Sequence, residues 1–279
     1  MKPTRFEYER PADLAGVMAL IGREDIVAKI LAGGQSLGPM LNLRLVQPDV
    51  LVDITGIAEL KRVEEKDDAL IVGACVTHAD IEDLRVPDVT GGALPNVARG
   101  IAYRAVRNRG TLGGSLSHAD PAADWVASLA AMGAEVMLRG PAGARSLAIE
   151  AFVTGVFEVA LAPGEILEAV RIPRLSRSAR WGFCKICRKT GELAQAIASV
   201  LYDPERAVFR AVIGATEAMP VVVSDAASLF SGKAVANGPG VFDANAAKRV
   251  LNASGMSDPI DTQIHVVALR RAIERAKLA

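Results

Sequence analysis

A chain of 279 residues is long enough for two or three modest domains and a sizeable core. Its 32 basic and 32 acidic side chains cancel, which removes the electrostatic drive toward nucleic acid or an anionic membrane surface. Hydrophobic residues make up 51% but aromatics only 4%, so the core has to be built from Ala, Val, Leu and Ile. No apolar run approaches the roughly 20 residues that cross a bilayer. The first residues show neither a basic segment before an apolar one nor a twin arginine, so we expect no export signal and a cytoplasmic location. Three cysteines, Cys75, Cys184 and Cys187, do not make a disulfide framework. Cys184-x-x-Cys187 stands alone and His78, His118 and His265 are scattered, so the chain lacks the roughly four ligands of a zinc or iron–sulfur site.

In chain order, residues 1–58 are predicted as a small α/β unit. Phe6 to Tyr8 is a short strand, and Pro11-Ala12-Asp13 opens a helix to Ile21 with Leu14, Val17, Met18 and Ile21 at helical spacing. Ile26 to Leu31 is expected as a buried strand, Leu37 to Leu43 as one or two helical turns, and Val50 to Ile54 as a strand. Residues 59–176 form a second unit. Arg62 to Glu65 and Ala69 to Gly73 make a hairpin around Asp67-Asp68. Thr77 caps a helix to Leu84, and Leu94 to Ile101 is a second helix. A third helix covers Ala122 to Met132. Ala134 to Leu138 pairs with Ala144 to Ile149, and Ile166 to Ile172 alternates like a half-buried strand ended by Pro173. Residues 177–279 form a third unit. Its sheet comprises Phe183 to Arg188, Ala196 to Tyr202 and Ala207 to Ala215, followed by helices at Asp225 to Phe230, Asp243 to Leu251 and Ile264 to Lys277.

Two glycine-rich stretches stand out, Ala32-Gly33-Gly34-Gln35-Ser36-Leu37 and Thr111-Leu112-Gly113-Gly114-Ser115-Leu116. The first follows an apolar run. Paired glycines let the backbone turn sharply, come close to a ligand and aim successive N–H groups at an anion. Gln35, Ser36, Thr111 and Ser115 add side-chain donors, and a helix starting after Ser36 would add its partial positive charge. Either stretch alone reads more readily as an ordinary turn. Neither is a familiar phosphate motif: Gln35 breaks G-x-G-x-x-G, and Ser231-Gly232-Lys233 lacks the upstream glycine of a Walker A loop.

The runs LAGGQSLGPMLNLRLVQPDVLVDI (31–54) and RAVRNRGTLGGSLSHADPAADW (104–125) resemble the FAD-binding medium subunit of molybdenum hydroxylases, the carbon monoxide dehydrogenase and xanthine dehydrogenase family. The resemblance covers the whole chain in length and order. It implies an α+β fold: a two-domain FAD-binding fold of the vanillyl-alcohol-oxidase-like type plus a C-terminal antiparallel sheet-and-helix domain. It further implies that Ala32, Gly33, Gly34, Gln35, Ser36 and Leu37 in one loop, and Thr111, Leu112, Gly113, Gly114 and Ser115 in the other, hold the FAD pyrophosphate. Asp124 matches the aspartate that binds the FAD hydroxyl chain, and Leu167 matches a position lining the adenine. Lys185 matches a lysine near the flavin, although a solvated strand lysine is the competing reading. Ile101 matches an apolar or aromatic position packed on the cofactor.

Asp120 is a ligand candidate because a carboxylate accepts from sugar hydroxyls, but Asp120-Pro121 reads more simply as a helix cap. Arg104, Arg107 and Arg109 face the cofactor, face a partner, or form a solvated turn. Neither glycine stretch has a side chain to carry a covalent flavin. We therefore expect non-covalent FAD, with His118 as the nearest exception. By resemblance, the molybdenum cofactor and [2Fe–2S] clusters belong to a large and a small partner subunit, assembled as a dimer of heterotrimers. Electrons then pass from a cluster through this chain to an outside acceptor. Two alternatives compete with this reading: a stand-alone FAD oxidase taking hydride from substrate, and a non-enzymatic assembly protein without FAD.

Overall fold

The computed structural model describes residues 2–231 and 240–278, so Gly232 and Lys233 of the rejected Walker-like stretch lie outside the described residues. Three main sheets follow one another along the chain.

The first sheet is parallel. Strand β1 (Glu7–Glu9) leads into helix α1 (Leu14–Ile21), where the Asp13 carboxylate caps the first turn by accepting from the Gly16 N–H. Strand β2 (Ala28–Leu31), helix α2 (Leu37–Asn42) and strand β3 (Val50–Asp53) complete the unit. The order is β1-β3-β2, so β3 is central and buried along its whole length. The apolar run before the first glycine stretch is therefore not a buried strand. Strand β2 lies at the sheet edge, only half-buried, and Val27 just before it is 54% exposed. An apolar run records hydrophobicity, and only the strand order decides burial.

The second sheet is antiparallel. Strands β4 (Val63–Glu65) and β5 (Ala69–Gly73) pair as the expected hairpin. Helix α3 (His78–Glu82) opens with a reciprocal cap between Thr77 and Asp80. Helices α4 (Ala93–Gly100), α5 (Arg104–Arg107), α6 (Leu112–His118) and α7 (Asp124–Met132) follow. Strands β6 (Glu135–Gly140) and β7 (Gly143–Ala148) form a second hairpin. A short helix α8 (Ile149–Phe152) and the small hairpin β8 (Val153–Gly155) and β9 (Glu158–Val159) were not predicted. Strand β10 (Ile166–Pro173) is the centre of this sheet, paired with β5 and β6. It is nearly all buried rather than half-buried. Its register shifts between Leu167 and Ala169, and the intervening Glu168 pairs with Arg139 at 2.9 Å.

The third sheet is antiparallel, with strands β11 (Arg180–Ile186), β12 (Ala196–Asp203), β13 (Val208–Gly214) and β14 (Val221–Val223) in sequence order. The fourth strand, only Val221 to Val223, was too short to be predicted. The segment Ala226–Leu229 is a 3-10 turn capped by Asp225. A short pair β15 (Phe230–Ser231) and β16 (Val241–Phe242) precedes helices α9 (Ala244–Ala253) and α10 (Pro259–Arg275), capped by Asp243 and Asp258. Among the described residues no helix is long and apolar enough to cross a membrane.

Strand alternation divides the apolar side chains of the third sheet. Ile197 and Val212 join a core that runs through the first two sheets, while Ala196, Ala198, Ala211 and Ile213 face α9 and α10. Helix α7 packs between α4 and the strands β12 and β13, and every one of its residues is buried.

Helix α10 lies directly on β11 at Gly182, where a Cβ would fall 2.7 Å from the Ala276 nitrogen. We predict that Gly182→Ala lowers stability by about 1–3 kcal/mol through overpacking. The measurement is the urea midpoint, and an unchanged midpoint would contradict this packing.

Candidate functional site

The first glycine stretch leaves β2 at the carboxyl edge of the parallel sheet and runs into α2. Gly34 has φ +72°, a left-handed conformation that glycine adopts without strain. Gly33 packs on the Arg109–Gly110 backbone, and a Cβ there would fall 2.7 Å from the Gly110 Cα. From Ala32 through Leu37, no backbone N–H donates to another described residue. The Gln35 amide folds back on the Gly33 carbonyl at 3.0 Å, and the Ser36 hydroxyl caps nothing. A run of uncommitted N–H groups, in a turn at the head of a helix and at the carboxyl edge of a parallel sheet, suits an anion.

The second stretch differs. It is not a loop but the start of α6, with Thr111 as its cap. The Gly114 N–H donates to Thr111 Oγ1 at 3.1 Å, and the Ser115 N–H to the Thr111 carbonyl at 3.0 Å. The Leu112 and Gly113 N–H groups bind the Val76 and Ala74 carbonyls at 3.0 and 2.9 Å. These donors are committed to the fold, so the expected second cradle of N–H groups is absent from residues 112–115. Gly113 is required by packing, since a Cβ there would fall 2.7 Å from the Ala74 Cα. Gly114 faces the first stretch, with a Cβ there falling 3.7 Å from Ala32 Cβ, so the two stretches are neighbours. The half-buried Ser115 hydroxyl is the donor left on this side.

Asp124 opens α7 and is 4% exposed. Its Oδ2 meets Lys185 Nζ from β11 at 2.9 Å, while its buried Oδ1 has no partner among the described residues. Burial pushes the Asp124 carboxyl up, and the Lys185 charge opposes this. Lys185, only 10% exposed at its side chain, also approaches the Gly100 carbonyl at 3.4 Å. It is not a solvated strand lysine. Half-buried Ile101 follows at the end of α4, one residue before left-handed Ala102 (φ +41°).

The remaining candidates sit around this centre. Asp120 does not cap α7, because Asp124 is that helix's first residue and Ala123 occupies the cap position. Asp120 instead accepts the Ala122 N–H at 2.9 Å in a local turn. His118 ends α6, with its ring centroid 5.0 Å from that of Phe157. Leu167 is 2% exposed, inside the core. Arg104 pairs with Asp83 and Glu82, and Arg107 pairs with Glu82. Arg109 makes no pair among the described residues. Cys184 is buried, and Cys187 is half-buried beyond the end of β11.

Sequence reading missed His78. It is buried under Gly110, and its Nδ1 accepts from Trp125 Nε1 at 3.1 Å. Burial, helped by Arg107, pushes the imidazole down to about 4. Trp125 follows Asp124, and Gly110 backs Gly33, so this ring braces both halves of the site. No local pattern could reveal a partner 47 residues away.

Two predictions follow from these contacts. A group whose folded value lies near 4 against about 6.5 unfolded stabilises the fold above pH about 6.5, and this contribution is lost as pH falls toward 4. His78→Gln keeps an acceptor for Trp125 but does not titrate. It should therefore flatten the fall of the urea midpoint between pH 6.5 and 4; an unaltered slope would exclude His78 as the cause. Gly34→Val should remove bound anion or cofactor from a folded chain, because it strains an open turn. Gly113→Val should unfold the region instead, through its clash with Ala74. Circular dichroism and ligand content distinguish the two outcomes.

The chain is similar over most of its length to proteins of one family. A family model described as the FAD binding domain in molybdopterin dehydrogenase matches residues 4–175. The carbon monoxide dehydrogenase medium chain of Hydrogenophaga pseudoflava is 36% identical over 201 residues, 72% of this chain and 70% of that one. The caffeine dehydrogenase subunit beta of Pseudomonas sp. (strain CBB1) is also 36% identical, over 74% of this chain and 70% of its own length. In a solved carbon monoxide dehydrogenase from Hydrogenophaga pseudoflava, one chain superposes with a TM-score of 0.85 at 30% identity, covering 99% of both chains. The chain therefore belongs to the FAD-binding family of molybdopterin dehydrogenases, as a medium-chain FAD subunit of the molybdenum hydroxylases.

Proposed function

We propose that this chain carries electrons within a multi-subunit molybdenum hydroxylase, taking them from [2Fe–2S] clusters of a small subunit and passing them to an external acceptor. The observation that carries the reading is the pairing of two unfilled polar features: the free N–H run at Ala32 to Leu37 and the orphaned, buried Oδ1 of Asp124. A diphosphate needs the first and a sugar or ribityl hydroxyl needs the second. FAD, when bound, supplies a group that takes electrons singly and gives them up singly or in pairs.

The residues of this chain then have distinct tasks. Ala32, Gly33, Gly34, Gln35, Ser36 and Leu37 bind the diphosphate through their N–H groups, assisted by the Ser115 hydroxyl across the contact between the stretches. Asp124 accepts a cofactor hydroxyl at Oδ1 and holds Lys185 at Oδ2. Lys185 offers positive charge beside the flavin ring, which favours its reduced, anionic form. Ile101 packs on the ring. His118 and Asp120 border the cofactor, and Leu167 borders the adenine. Binding is non-covalent. No side chain of this chain has to act as acid, base or nucleophile, and the substrate is oxidised at molybdenum on a large subunit. Two such trimers pair, in the cytoplasm. Relatives named for carbon monoxide and for caffeine are equally similar to this chain, which supports a substrate site on another polypeptide. We divide the chain at 1–58, 59–176 and 177–279.

The test uses the purified complex. Acid precipitation should leave FAD in the supernatant, and flavin in the pellet would contradict non-covalent binding. Under anaerobic conditions, N-heteroaromatics, aldehydes, purines and carbon monoxide should each leave the flavin of this chain alone oxidised. The true substrate should bleach it once the molybdenum and iron–sulfur chains are added. Rapid bleaching by substrate without partners would favour a stand-alone oxidase.

A further inference from the structure

We propose that Arg107, held by Glu82, is a positioning residue for the flavin end of the site: it fixes the Gly100–Ala102 turn against which Lys185 rests. The proposal rests on the FAD reading above. Arg107 lies on α5 with its side chain 11% exposed, and that of Glu82 is 12% exposed. Its Nε and Nη2 grip both Glu82 oxygens, at 2.7 and 3.1 Å. Its Nη1 donates to two successive carbonyls, Ile101 at 2.8 Å and Ala102 at 3.1 Å. All but one of the guanidinium N–H groups are thus committed, and the outward fork that would hold a phosphate or carboxylate is filled by Glu82. The task of Arg107 is directed into the fold.

What it holds needs holding. Two neighbouring carbonyl dipoles converge on one point and repel each other unless a cation lies between them. Ala102 is left-handed at φ +41°, a conformation an alanine keeps only when its surroundings impose it. The preceding carbonyl, Gly100, is the second acceptor of Lys185 Nζ, whose first partner is Asp124. Three successive carbonyls therefore meet cationic side chains from two different elements. The loop between β11 and β12 presses on the same turn: a Cβ at Gly191 would fall 2.9 Å from the Ala102 oxygen. If Arg107 were lost, the turn would relax toward ordinary φ. Lys185 would lose an acceptor, and its ammonium would no longer be fixed beside the cofactor. Arg104 is the internal control. It lies on the same helix, shares Glu82 with Arg107 and also pairs with Asp83, but donates to no carbonyl of the turn.

The experiment measures FAD affinity and flavin reduction potential in the reconstituted complex. Arg107→Ala should weaken FAD about tenfold, a loss of order 1.4 kcal/mol, and shift the potential negative as Lys185 is released. Arg107→Lys should behave similarly, because an ammonium has three donors on one atom in place of the four that the guanidinium spreads over Glu82 and the two carbonyls; it carries the test if Arg107→Ala does not fold. Adding Ala102→Gly to either variant should restore affinity to within about threefold, because glycine takes the left-handed turn unaided. Arg104→Ala should change neither quantity. The proposal is overturned by an Arg107 variant with unchanged affinity and potential, by an equal loss in Arg104→Ala, or by no recovery with Ala102→Gly. An unsubstituted complex without flavin would instead remove the FAD reading itself, so the two failures are told apart.

Discussion

The structure turns on one buried ion pair. Asp124 and Lys185 come from different sheet units, both are almost wholly shielded from water, and they meet at 2.9 Å. Burying two charges is costly, and their attraction repays it only when the remaining lone pairs and protons are also satisfied. Here they are not, because Asp124 Oδ1 is orphaned. A charge pair kept in this state is weak as a stabiliser and strong as a socket. Its geometry is maintained by the burial of α7, whose whole length is wedged between α4 and the third sheet. Helix α7 can afford no slip, and Asp124 sits at its first turn.

The two glycine stretches show why composition alone misleads. Both offer paired glycines with hydroxyl neighbours, yet the fold commits the N–H groups of residues 112–115 and leaves those of residues 32–37 free. The difference lies in what precedes each stretch. Thr111 has a hydroxyl in the cap position, so its helix closes on itself, with Val76 and Ala74 satisfying the next donors. Ser36 holds the corresponding position before α2, but its side chain caps nothing, and the strand before it ends at an open sheet edge. One stretch is a scaffold and the other is a receptor.

Much of this was legible in the sequence, for physical reasons that can be named. Caps announced helices at Asp13, Thr77 and Asp243, each of which accepts from the first turn of a helix, since a short side chain and an unpaired N–H are local properties. Asp258 caps a helix that starts at Pro259, before the expected Ile264. Hairpins at Asp67-Asp68 and Gly140-Pro141 were equally local. Non-local facts were not. That β2 is an edge strand and β10 a central one depends on sheet order, which no run of hydrophobic residues states. Asp120 shows the limit within a single turn, because two helix starts were possible near Pro121 and packing selected Asp124. Of the site, resemblance brought Asp124 and Lys185 forward. Nothing in the sequence linked Arg107 to the Ile101 and Ala102 carbonyls, or His78 to Trp125.

Strain marks the same region independently. Ala102, Ala119 and Ala215 are all left-handed, though alanine gains nothing from that conformation. Each is tied down by a contact from elsewhere in the chain. Arg107 holds the Ala102 carbonyl, and the Phe157 N–H binds the Ala119 carbonyl at 3.0 Å. The Ala215 N–H binds the Pro121 carbonyl at 2.8 Å, while its own carbonyl lies 3.1 Å from a His265 ring nitrogen on α10. These three turns flank the segments that carry Ile101, His118, Asp120 and Asp124. Contacts from a hairpin, α5 and α10 keep them bent, next to the segments that carry the free carboxylate oxygen and its ammonium partner. In a medium-chain FAD subunit, that fixed placement of charge is what these residues bring to the site.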